Sequence, residues 1–158
     1  MSCDVAIAAF LTFTAAPAAG PGAPAPAVAA APPVPVGQDP FFLDIVARAG
    51  ALKGQVVSWR TGVASSPAAV PLTGFDAFTS QITQLSALDQ QGHVILAARG
   101  TDGDLKCILH GISQDLPLKL AAVSAAKTGH DEDLALRDME YLLRDNVEVI
   151  TAPPAPPV

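Results

Sequence analysis

The sequence predicts an α+β domain: a small, mostly antiparallel sheet with a central hairpin, packed against helices and flanked by extended Ala/Pro-rich arms. Three observations predict it. His93 to Ser113 holds two apolar runs, Val94–Arg99 and Leu105–Ile112, on either side of Asp102-Gly103, which supplies the positive φ angles of a tight hairpin turn. Apolar residues at helical spacing precede and follow this stretch. Proline and alanine dominate both ends of the chain.

Taken in order, residues 1–14 form an apolar N-terminal segment. Val5 to Ala16 has the look of a secretory apolar core, but Asp4 and the lack of Lys or Arg on its flank argue against a signal peptide. Residues 15–37 are an Ala/Pro-rich linker, too dense in proline for a helix or a paired strand, and read as a semi-rigid tether. Residues 38–150 are the compact domain. Asp39-Pro40 supplies an N-cap and a first-turn proline, so a helix carrying Phe41, Phe42, Ile45, Val46 and Ala49 is expected to run to Gly50 or Gly54.

Gln55 to Arg60 reads as a strand around Trp59, and Ser65 to Thr73 as a loop. Phe75, Phe78, Ile82, Leu85 and Leu88 predict a second helix that ends at the C-cap candidate Gly92, with Gln81 and Asp89 facing outward. The hairpin then pairs Val94–Arg99 with Leu105–Ile112. Ala98 and Leu96 face Cys107 and Leu109 on an apolar side; Arg99, Ala97 and Ile95 face Lys106, Ile108 and His110 on a mixed side. The competing reading is a helix capped by Asp104, since Leu105, Ile108, Leu109, Ile112 and Leu116 also fit helical spacing.

Beyond the hairpin, Asp115 and Pro117 start a helix that Gly129 stops. Asp131–Arg144 has the clearest helical pattern, with Ala135, Leu136, Met139, Leu142 and Leu143 as its buried stripe and Asp133–Arg137 and Glu140–Arg144 as acid-before-base pairs. Val147–Ile150 adds a short strand. Residues 151–158 form a Pro-rich tail.

Composition bounds the function. The chain has 158 residues and a net charge of −6, and no basic cluster, which argues against nucleic acid and against an anionic membrane surface as partners. Cys3 and Cys107 form no CxxC pattern, so a reducing, cytoplasmic setting is expected, with export to the periplasm as the alternative. In the hairpin, Cys107 is a buried thiol on the opposite face from His110, so the two do not form a nucleophile–base dyad.

Asp102-Gly103-Asp104 is turn chemistry without the further ligands of a calcium loop. His130 to Asp133 is a capped, dipole-stabilised helix start rather than a metal site. Ser124, Lys127, Thr128 and Gly129 spell two motifs of penicillin-recognising enzymes on one shared lysine, a geometry that chemistry does not use. No catalytic, metal or cofactor site is assigned.

These readings point to a non-enzymatic interaction or assembly module whose partner is another protein or a second copy of the chain. Candidate partner-binding residues are Phe41 and Phe42, adjacent at a helix start where one face cannot bury both equally, and Arg99, Lys106 and His110 on the mixed hairpin face. The alternatives are an exported envelope component and a small hydrolase using His110, Arg99 and Lys106.

Overall fold

The computed structural model describes residues 34–63 and 65–152. The apolar segment 1–14, most of the 15–37 linker and the prolines of the C-terminal tail lie outside them. The described residues fold as a four-helix bundle: α1 Pro40–Val63, α2 Phe75–Arg99, α3 Gly103–Ala125 and α4 Gly129–Thr151, preceded by a single 3-10 turn at Val36–Gln38. There is no strand among them, so the expected α+β sheet is replaced by an all-α architecture.

Each helix repeats its buried positions in steps of three and four, the spacing that keeps one stripe against neighbouring helices. The stripes are Phe42, Ile45, Ala49, Leu52 and Val56 on α1; Phe78, Ile82, Leu85, Asp89, Gly92 and Leu96 on α2; Leu105, Leu109, Ile112 and Leu116 on α3; and Leu136, Met139, Leu143, Asn146 and Ile150 on α4. The helices pack in cyclic order, α1 on α2 and α4, and α3 on α2 and α4, with no diagonal backbone contact. Short connections make neighbours antiparallel, the up-down-up-down arrangement of simple bundles. The α1–α2 edge is the loosest of the four.

The corrections share one cause: turn-forming residues were read as breaks where core packing carries the helix through them. α1 passes Gly50 and Gly54 and includes the expected strand Gln55–Arg60, because Leu52, Val56 and Val63 continue its stripe. An interior glycine costs about 1 kcal/mol relative to alanine, whereas burying one leucine or valine side chain returns roughly 1.5–3 kcal/mol.

α2 likewise continues through Gly92, where a Cβ would lie 3.1 Å from both Leu109 Cδ1 and Phe42 Cε1. Glycine at this position lets three helices close on one another. The helix stops instead at Gly100, whose φ of 66° is the left-handed conformation of a helix C-cap. Both hairpin strands are therefore helix. The chain reverses at Gly100 to Asp102, where Gly100 has φ 66° and Asp102 φ 51°, and Gly103 is already the first residue of α3, as the Leu105, Leu109, Ile112 and Leu116 spacing of the helical alternative requires.

Pro117 lies inside α3 rather than at a helix start. It has no N–H to give the Ser113 carbonyl one turn earlier; the Ser86 hydroxyl of α2 donates to that carbonyl instead, at 2.7 Å. α4 begins at Gly129 with Thr128 as its N-cap, Thr128 Oγ1 accepting from the Asp131 amide at 3.1 Å. The helix absorbs the expected strand Val147–Ile150. No helix among the described residues is long and apolar enough to cross a membrane.

The connection between α1 and α2 is held by two anchors. Trp59 packs edge-on against Phe78, centroids 4.9 Å apart, and donates Nε1–H to the Thr73 carbonyl at 3.2 Å. Buried Glu132, in the first turn of α4, accepts from the Val70 amide at 2.8 Å.

Candidate interaction surface

The five residues singled out in the sequence fall in two places. Phe42 is fully buried in the core, and Phe41 is half-buried with its ring edge-on to Phe42 at 5.1 Å. Arg99, the last residue of α2, reaches back to the start of α1: its Nη2 donates to Asp39 Oδ2 at 2.6 Å and its guanidinium lies 5.7 Å from the Phe42 ring centroid. Asp39 in turn accepts the Phe41 amide at 2.9 Å, so one carboxylate both caps α1 and ties α2 to it. The Arg99 hydrogen bond holds the Asp39 carboxyl below its ordinary range.

His110 and Lys106 sit on α3 against α2. His110 Nδ1 donates to Gln90 Oε1 at 2.8 Å, and its ring lies 4.8 Å from that of His93, whose own Nδ1 donates to the Lys106 carbonyl at 2.8 Å. The Gln114 amide meets His110 Nε2 at 3.1 Å. Both imidazoles are thus engaged in joining α2 to α3.

The helical conformation brings Cys107 and His110 onto neighbouring turns, but Cys107 is half-buried rather than in the core, and no described cysteine is a free thiol. A thiolate nucleophile for His110 is therefore missing from the described residues. Nor do those residues contain a group of His, Cys, Asp and Glu able to hold a metal ion.

Two features emerge only in three dimensions. The first is a buried polar pair. Asp89, expected to face outward, is fully enclosed, as is Asn146 on the opposite helix α4. Asn146 Nδ2 donates to Asp89 Oδ2 at 2.8 Å, while Asp89 Oδ1 and Asn146 Oδ1 have no hydrogen-bond partner among the described residues. Burial pushes the Asp89 carboxyl up to about 8, against the smaller opposing pull of the Asn146 hydrogen bond. A proton on Asp89 Oδ1 turns one orphan acceptor into a donor that the other can accept, which is the state burial favours.

The second is a cleft of about 290 Å³ between α1 and α4, lined by Arg60, Arg137, Glu140, Tyr141 and Arg144. Arg60, near the end of α1, donates to Asp133 at 3.0 Å and to Glu140 at 2.6 Å. These two hydrogen bonds raise the guanidinium further above its ordinary value. The expected pairs within α4 are therefore replaced: Asp133 and Glu140, one heptad apart, turn to α1, Arg137 turns to Asp138 at 3.6 Å, and Arg144 turns to Asp145 at 3.1 Å and Glu148 at 3.5 Å.

The Arg144 guanidinium lies 4.5 Å from the centroid of the half-exposed Tyr141 ring. No known protein family, curated protein or solved structure matches this chain. The face is therefore read from its own chemistry. It combines a concave floor, already fixed by two interhelical ion pairs, with a rim of tyrosine and arginine, the side chains that most often anchor protein interfaces.

Proposed function

We propose that this chain is a non-enzymatic protein-interaction module that engages its partner through the outer face of α1 and α4. The observation that carries the reading is the half-exposed Tyr141 ring, held by Arg144 at the rim of the Arg60–Glu140 cleft. Tyrosine offers a large amphipathic area with little conformational entropy to lose, and a stacked arginine leaves it pre-organised. Of the residues singled out from the sequence, Phe42, Arg99 and His110 support the fold in this reading, since they are engaged in joining helices. The partner is a protein, because the chain's net charge of −6 disfavours a polyanion such as nucleic acid.

Photo-crosslinking in the native cell tests this. A photoreactive aromatic residue replacing Tyr141 gives a discrete crosslinked protein species, and the same residue replacing exposed Leu118 on α3 does not. Equal labelling at both positions, or none at Tyr141, rejects the assignment.

A further inference from the structure

We propose that the outer face of α4 pairs with the same face of a second copy of this chain, antiparallel and centred on Tyr141. The inference deepens the interaction reading above and rests on it.

The observation is a charge pattern. Arg137-Asp138 lies on one side of Tyr141 and Arg144-Asp145 on the other. A two-fold axis through Tyr141 reverses the order of residues on the second helix, so Arg137 comes opposite Asp145 and Asp138 opposite Arg144. Both pairs then occur twice. A parallel alignment in the same register sets arginine against arginine and aspartate against aspartate. The pattern is thus self-complementary under an antiparallel two-fold and not under the parallel, in-register two-fold.

Its chemistry is suited to exchange. In the single chain Arg137 reaches Asp138 at 3.6 Å, and Arg144 reaches Asp145 at 3.1 Å and Glu148 at 3.5 Å, all through side chains that are about half exposed or more. Solvent-exposed pairs of this kind are worth about 0–1 kcal/mol, so little opposes their exchange for partners in a second copy. Asp138 is also held by Lys119 of α3 at 3.3 Å, which fixes one carboxylate of the set in place. Glu140 is withdrawn from the face by Arg60, and the remaining ion-paired set balances, with Arg137, Arg144 and Lys119 against Asp138, Asp145 and Glu148.

Neutrality matters because the chain as a whole is strongly acidic. Two copies repel wherever acids predominate, and a face with equal numbers of arginine and aspartate is where contact meets least repulsion. Tyr141 then meets its own counterpart at the axis, with both rings already covered on one side by Arg144.

Sedimentation velocity on the purified full chain tests the proposal, with charge-swap variants as the decisive step. Wild type associates reversibly. Arg144→Asp places aspartate opposite Asp138, and Asp138→Arg places arginine opposite Arg144, so each variant alone is monomeric. An equimolar mixture restores a dimer, since both contacts become opposite-charge pairs again. Tyr141→Ala weakens wild-type association at least tenfold.

Circular dichroism establishes that each variant is folded. The wild-type measurement decides independently if one is not: a chain that stays monomeric at every concentration overturns self-pairing. So does a mixture of folded variants that fails to associate. Either result leaves the broader interaction reading to the Tyr141 crosslink, which then reports a different protein.

Discussion

Replacing Asp89 by asparagine isolates the energetic consequence of placing a carboxyl group in the bundle core. In the folded chain this carboxyl titrates at about 8, against an ordinary value of 3.8. Between those values the folded state holds a proton that the unfolded state has released. The slope of stability with pH follows the difference in bound protons, unfolded minus folded, and is negative here. The contribution is complete below the unfolded value, declines through the whole interval, and is lost once pH passes the folded value.

One pH unit within the interval corresponds to about 1.4 kcal/mol, so wild type loses about 3 kcal/mol from this group between about pH 5 and about pH 7. Asparagine has the same shape, does not titrate, and can both accept from Asn146 and donate to it. Asp89→Asn therefore gains on wild type by roughly 1.4 kcal/mol for each unit of rising pH in that range, on top of any constant offset. Urea unfolding of both proteins across the range reads the difference, and titrations common to both cancel. A gap between the two proteins that stays constant with pH refutes the reasoning, because it would mean Asp89 ionises alike in the folded and unfolded chains.

Two further outcomes follow from the packing. Ser86→Ala removes the hydroxyl that donates to the Ser113 carbonyl, which Pro117 cannot serve, and lowers stability by about 1–2 kcal/mol. Pro117→Ala restores the helix's own donor, so the cost of Ser86→Ala shrinks in that background; an equal cost in both backgrounds, measured by a double-mutant cycle, shows that the serine acts otherwise. Glu132→Ala leaves the Val70 amide without its acceptor and costs about 2 kcal/mol, while Glu132→Gln keeps a neutral acceptor and costs about half as much. Proteolysis within residues 65–74 follows the same order, and cleavage unchanged in the alanine variant would show that Glu132 does not hold the connection.

Much of the bundle was legible as local pattern. The Asp39-Pro40 start, the Phe78, Ile82 and Leu85 stripe, a chain reversal just before Gly103 and the Leu136, Met139 and Leu143 stripe are all present in the structure. The fold class was not, because it depended on where periodicity was taken to end. Gly54, Gly92 and Pro117 each satisfy a rule for helix termination, and each is overridden by a tertiary fact that no short window contains. Gly92 is enclosed by Phe42 and Leu109, and the gap left by Pro117 is filled by Ser86. Stopping α2 at Gly92 also hid Asp89. Only when Leu96 is admitted does the stripe Phe78, Ile82, Leu85, Asp89, Gly92, Leu96 show an aspartate at a core position.

The interaction face was missed for a different reason. Tyr141, Asp138 and Asp145 carry no local signal, and the spacing of Asp133, Arg137, Glu140 and Arg144 points each acid to the base four positions on. Packing supplied a better competitor: Arg60 approaches between Asp133 and Glu140 and takes both. That capture leaves Arg137 with Asp138 and Arg144 with Asp145 and Glu148, and the heptad repeat RDMEYLLRDNVEVI carries two patterns at once. Its inward positions Met139, Leu143, Asn146 and Ile150 build the core, while its outward Arg-Asp steps become a surface pattern with Tyr141 at its centre. The same sequence repeat can serve both because a period of seven returns every residue type to the same face of the helix. What distinguishes the two faces is the neighbour each one finds, α1 and α3 within the bundle and, in our proposal, a second α4 outside it.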